Sequence, residues 1–163
     1  MSRKGPIKPR KIDSDPVYNS QLLSKIINAS MKAGKKSPAE KQVYLALKLI
    51  IKQQKLKEEK EVLSVIEEAI ESIRPKVEVR PRRIGGAVYQ VPRPVSTRRQ
   101  LSLSIRWLIN SARARPNKQY HSFGEKLSAE ILSILKGEGS SLSKKTEVEK
   151  MAEANKAFSH LRW

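Results

Sequence analysis

Apolar residues recur at helical spacing along most of this chain, but between Lys76 and Pro92 the period drops from 3.6 to 2. There Val77, Val79, Ile84, Val88 and Val91 alternate with Glu78, Arg80, Tyr89 and Gln90 around Gly85-Gly86. A glycine pair between two alternating runs predicts a tight hairpin over residues 76–92. Pro81, Pro92 and Pro94 cannot donate to a ladder, so the hairpin stays a two-stranded ribbon with free edges. An isolated ribbon is marginal in water and has to end against something else. One ribbon among helical segments leaves a mainly α fold, a bundle of about six helices with a protruding β arm.

The helices have their own start and stop signals. Asp15-Pro16 predicts a first helix, with Asp15 as cap, Pro16 at the first helical position, a stripe of Leu22, Leu23, Ile26 and Ile27, and Gly34 as the stop. Ser37-Pro38-Ala39-Glu40 reads as a capping box ahead of Val43, Ala46, Leu47, Ile50 and Ile51. A third helix runs from about Glu58 to Ile73 and ends at Pro75. A fourth follows Ser96, carries Leu101, Ile105, Leu108, Ile109 and Ala112, and stops before Pro116. Ser122-Phe123-Gly124-Glu125 is a second capping box, before Leu127, Ile131, Ile134 and Leu135. Residues 139–143 read as a flexible link, and a last helix, capped by Ser143 or Thr146, leads into a terminal stretch over 150–163. No repeat divides the 163 residues, so one domain is expected, with residues 1–12 as a basic tail.

Charge sets the function class. Thirty-four Lys and Arg against sixteen Asp and Glu leave a net charge of +18, which self-repels unless a polyanion neutralises it. The charge is sided: residues 74–118 hold twelve bases and one acid, Glu78, whereas residues 57–73 hold two bases and six acids. Arginine binds phosphate through two parallel hydrogen bonds, so the first stretch points to nucleic acid. Arg99, Arg106 and Arg113, seven apart, fall near one helical face, while Leu101, Ile105 and Leu108 point elsewhere. Arg82-Arg83-Ile84-Gly85-Gly86 joins two guanidinium groups to glycines that permit close approach. Tyr89 on this arm could stack on a base, whereas Trp107 suits core packing. Trp163, at the chain's end, suits either an exposed tail or a docking contact.

Enzymatic signatures are missing. Position 29 is alanine where a P-loop ending at Gly34-Lys35-Lys36-Ser37 needs glycine, but two cations beside a helix start suit a backbone phosphate. His121 and His160 have neither metal-spaced partners nor a nucleophile beside them, and with no cysteine there are no disulfides or thiolate metal sites. No cofactor or metal is expected. No run approaches the 18 apolar residues of a membrane span, so no membrane partner is expected, and no apolar segment follows the basic start to make a secretory signal.

Several stretches together resemble a known family, the universal small-subunit ribosomal protein number seven in its bacterial and organellar form. They are Asp15-Pro16, Gly-Lys-Lys-Ser at 34–37 with Ala39-Glu40 and Tyr44, IRPKVEVRPRRIGGAVYQVP over 73–92, Arg106-Trp107, and KMAEANKAFSHLRW over 150–163. The resemblance implies a primary binder of the 3′ major domain of small-subunit ribosomal RNA that starts assembly of the head. It implies RNA contacts from Arg3, Lys4, Arg10 and Lys11 in the tail, from Lys35 and Lys36, and from Arg93, Arg98, Arg99, Arg106, Arg113, Arg115 and Lys118. The arm, with Arg80, Arg82, Arg83, Gly85, Gly86 and Tyr89, would reach exit-site tRNA and departing mRNA. Lys144 and Lys145 complete the expected set, and the C-terminal segment would face neighbouring head and platform proteins. Residues 93–97 depart from the usual bacterial wording and residues 116–123 look a few residues longer, which favours an organelle ribosome over a bacterial one. The competing class is a DNA-binding regulator or architectural protein, since helices with a basic ribbon occur there too. A nucleic-acid enzyme lacks the clustered carboxylates or histidines it would need.

Overall fold

The structure, a computed structural model, describes residues 11–55 and 59–161. The described residues form six α-helices, one antiparallel ribbon and a 3-10 helix, in the order α1 (Gln21–Ser30), α2 (Lys36–Gln54), α3 (Glu59–Ile73), β1 (Val77–Ile84), β2 (Ala87–Pro94), α4 (Thr97–Ala114), α5 (Phe123–Leu135), α6 (Ser140–Ala154) and the 3-10 helix Lys156–Leu161. This is the expected mainly α fold with its arm.

Five helices share one core. Leu23, Ile26 and Ile27 of α1 meet Val43, Ala46, Leu47 and Ile50 of α2, with Ile66, Ile70 and Ile73 of α3, Leu108 of α4 and Leu127 and Ile131 of α5. These are the apolar stripes of the sequence, buried because each helix offers one greasy face. Trp107 packs against this core, half-buried. Helix α5 runs through the middle and touches α2, α3, α4 and α6. Its Gly124 lets it approach α2: a Cβ there would lie 2.7 Å from the Gln42 carbonyl oxygen.

The arm is the predicted hairpin, with its second strand running on to Pro94, two residues past the expected end. Strands pair from Val77↔Pro94 to Ile84↔Ala87, and Gly85 and Gly86 both take positive φ, 58° and 88°, as a two-residue turn matching strand twist requires. Its base belongs to the body, since Val91 is fully buried and Glu78 nearly so.

Three helix starts differ from expectation. Helix α1 begins at Gln21, capped by Ser20, whose hydroxyl accepts from the Leu23 amide. Asp15 instead closes a separate turn, accepting from the Val17 and Tyr18 amides and from the Tyr44 hydroxyl at 2.7 Å. Burial and the Asp15 carboxylate push the Tyr44 hydroxyl well above the ordinary tyrosine range. Helix α1 also stops at Ser30, before Gly34. Helix α2 starts at Lys36 with no side-chain cap, which puts Ser37 inside the helix rather than at its cap. Helix α6 starts at Ser140, three residues before Ser143, because Glu130 of α5 caps it from outside: its carboxylate accepts from the Ser141 amide at 3.0 Å and the Ser141 hydroxyl at 2.7 Å. The second capping box stands, with the Ser122 hydroxyl accepting from the Glu125 amide and the Glu125 carboxylate reaching back to the His121 amide.

Candidate nucleic-acid interface

A groove of about 530 Å³ lies between α1 and α4. Helix α4 sends Arg98, Ser102, Arg106, Asn110 and Arg113 into it, and α1 sends Lys25 and Asn28, over a floor of Leu101, Ile105 and Ile109. A second groove, about 430 Å³, continues past Ser30 and Arg113 between α2 and α5, with Lys32, Lys35, His121 and Lys126 along it. Among the described residues neither lining contains an acid. Four-residue steps along α4 explain the first groove: residues 98, 102, 106 and 110 form one ridge, carrying polar groups while the neighbouring ridge faces the core.

Arg113 joins the two grooves. One guanidinium nitrogen donates to the Ser30 carbonyl at 2.9 Å, and its carbon lies 6.0 Å from the Phe123 ring centroid. The end of α1 and a ring of α5 thus hold it in place, and a planar fork held in place is the form in which arginine best receives a phosphate. Lys126 lies nearly buried behind it, donating to the Arg115 carbonyl and the Asn117 side chain, both at 2.6 Å.

The other expected site residues divide by their intramolecular partners. Arg3, Lys4 and Arg10 lie outside the described residues, as does Trp163, and Lys11 is exposed. Lys36 pairs with Glu40 at 3.6 Å. Arg80 and Arg99 both hold Glu78 at 2.7 Å. Burial alone would raise the Glu78 carboxyl, but the two guanidinium groups hold it below its ordinary value. Arg99 therefore braces the arm against α4, and Arg98, one residue earlier, takes the groove position. Arg115 pairs with Glu130 at 2.8 Å and faces the Tyr120 ring. Lys144 pairs with Glu147, and Lys145 donates to the Ser72 carbonyl. On the arm, Arg82 donates to the Leu161 carbonyl at 3.1 Å and the Tyr89 ring lies 5.3 Å from that of Phe158. Arg83, Gly85 and Gly86 are exposed near the tip, as are Arg98, Arg106 and Lys118 on the body, while Arg93 is half-buried.

The sequence reading missed Lys25, Asn28, Asn110, Lys32 and Lys126 as groove residues. The four-residue ridge on α4 would have found Asn110, and Lys25 and Asn28 share the polar side of α1. Lys32 and Lys126 leave no local mark, because tertiary packing alone brings the ends of α1, α2 and α5 together.

A helical body with two basic grooves that meet at Arg113, neither lined by an acid among the described residues, and a basic β arm has the surface chemistry that suits a polyanion. The family described as ribosomal protein S7p/S5e matches residues 2–156. Small ribosomal subunit protein uS7 of a Sulfurihydrogenibium species is 47% identical over 163 residues, spanning both chains completely. The proteins of the same name from Dictyoglomus thermophilum and a Thermoanaerobacter species are 48% and 50% identical, again over both full lengths. The chain belongs to this family and is a protein of the small ribosomal subunit; the family is one of ribosomal structural proteins, not of enzymes. With that, the DNA-regulator alternative loses its ground. These relatives are bacterial and align across the segments at 93–97 and 116–123, so the preference for an organelle ribosome is not supported.

Proposed function

We propose that this chain binds the 3′ major domain of small-subunit ribosomal RNA and starts assembly of the head. In this reading the two grooves that meet at Arg113 carry the RNA backbone. The supporting observation is the run of Lys25, Arg98, Arg106, Arg113, Lys32 and Lys35 with no acid in either lining among the described residues. Such a run attracts phosphate from every direction along its length, while Glu67 and Glu71 of α3, beside Lys25 in a neighbouring cleft, mark where it ends. The arm tip, with Arg83 and the glycine turn, extends toward exit-site tRNA and leaving mRNA, and the C-terminal segment toward neighbouring head and platform proteins. Two measurements test this: filter binding to a head-domain RNA fragment, and co-sedimentation with small subunits after a high-salt wash. Tight binding to the fragment, with retention through the wash, is the expected result. Equal affinity for an unrelated RNA of the same length would overturn it.

A further inference from the structure

Two side-chain contacts between the arm and the C-terminal 3-10 helix fall on a single rung. Arg82 and Tyr89 are directly opposite partners in the ribbon, on the third rung from the Gly85-Gly86 turn. The Tyr89 ring meets Phe158 at 5.3 Å with a tilt of 57°, and Arg82 donates to the Leu161 carbonyl at 3.1 Å. The 3-10 helix itself is fixed to the body through α6, whose Ala152 is buried, and through the Phe158 amide bonded to the Asn155 carbonyl. A free ribbon of this size would flex about its base, because strand pairing alone stabilises it poorly. Gripping it on one rung with an aromatic pair and a charge-assisted hydrogen bond fixes the direction in which the tip points. Period-2 alternation puts Arg83 and its opposite partner Val88 on the other face of the ribbon from Arg82 and Tyr89, and both are exposed, Val88 by 55%.

We infer that Phe158, with the Leu161 carbonyl, is a positioning clasp that aims the arm, and that Arg83 rather than Arg82 or Tyr89 makes the arm's contact with RNA. The inference rests on the proposed role of the arm at a single-stranded or looped RNA in the exit site, and deepens it by dividing the arm's residues into held and presenting faces.

The test uses small subunits reconstituted with full-length variants and reads the dissociation rate of deacylated tRNA from the exit site. Phe158→Ala should speed release about two- to tenfold, the factor that losing one aromatic pair would give. Phe158→Tyr, which keeps the ring, should release tRNA like the parent. Arg83→Gln should also speed release, and adding Phe158→Ala to it should speed release no further, because the clasp acts through Arg83. Parallel hydrogen exchange on the free protein should show the arm amides opening faster in Phe158→Ala, with α1 to α5 unchanged. Unchanged release in Phe158→Ala, or an undiminished effect of it on top of Arg83→Gln, would overturn the clasp while leaving the arm's role standing. Parental release in Arg83→Gln would overturn the arm's role and the clasp with it.

Discussion

At the scale of single residues, Glu130 of α5 ties together the start of α6 and the residue that follows α4. Fully buried on α5, it caps α6 through Ser140 and Ser141 and anchors Arg115 just past the end of α4. Burial alone would raise its carboxyl, but the Ser141 hydroxyl and amide and the Arg115 guanidinium hold it below its ordinary value. A lowered native pKa means that the unfolded chain binds the proton more readily. The group therefore stabilises the fold above its unfolded pKa, and this contribution fades as pH falls through the native value. Urea unfolding should show stability falling from pH 7 toward pH 3 in the parent, and falling less in Glu130→Gln, which has no charge to lose. At pH 7 the variant should be less stable by up to about 3–5 kcal/mol, the scale for a broken buried pair, reduced because Arg115 keeps some contact with water. Identical pH slopes would remove Glu130 from this role. Caps give a second test at this scale: Ser122→Ala should cost about 1 kcal/mol by removing the α5 cap, while Ser37→Ala, inside α2, should cost far less. Equal losses in thermal unfolding would mean that α2 starts at Ser37 after all.

At the scale of elements, the arm is two structures in series. Its base is tied to α4 by Glu78 with Arg99 and buries Val91, and its outer half meets the C-terminal 3-10 helix at Arg82 and Tyr89. Replacing residues 82–89 by Gly-Gly should leave the bundle folded, with RNA affinity reduced by no more than roughly 1–2 kcal/mol. Removing residues 78–90 should also lower the melting temperature, because it strips Arg99 of its partner. Circular dichroism melting of the two deletions checks this; equal melting temperatures would mean the base carries no load. The same division explains what the sequence made legible. Helical stripes and the glycine turn are local patterns, so Leu23 to Ile27, Leu108 and the Gly85-Gly86 register could be read directly. The start of α6 could not be read, because its cap arrives from Glu130, ten residues earlier and on another helix. Nor could the partners of Arg99, Arg115 and Tyr89 be read, since charge counting treats every cation in residues 74–118 alike, whereas folding spends some of them on Glu78 and Glu130 and leaves others facing the grooves.

At the scale of the whole molecule, the thirty-four Lys and Arg have two destinations, internal pairing with the sixteen acids and the ligand, and only the second releases counterions on binding. Arg99 and Arg115 sit in short ion pairs and release few counterions on binding, whereas Lys25, Arg98 and Arg106 line a groove with no acid among the described residues. With about six to ten phosphates neutralised, affinity for the head-domain fragment should fall by roughly 10³ to 10⁵ between 50 and 200 mM salt. Replacing Lys25, Arg98 and Arg106 together by Gln should make the plot of log affinity against log salt shallower by about two to three units, close to one per lost contact. Arg99→Gln should leave that slope at the parental value and act on the arm's stability instead. Arg98, Arg99 and Arg106 lie on the same helix, α4, and Lys25 on α1 faces it across the groove, so net charge alone predicts slope changes in proportion to the charges removed, three to one. Geometry predicts that only the groove variant changes the slope. A parental slope in the triple variant would place the RNA on some other face of the body, and a slope change in Arg99→Gln would mean that its pair with Glu78 opens when RNA binds.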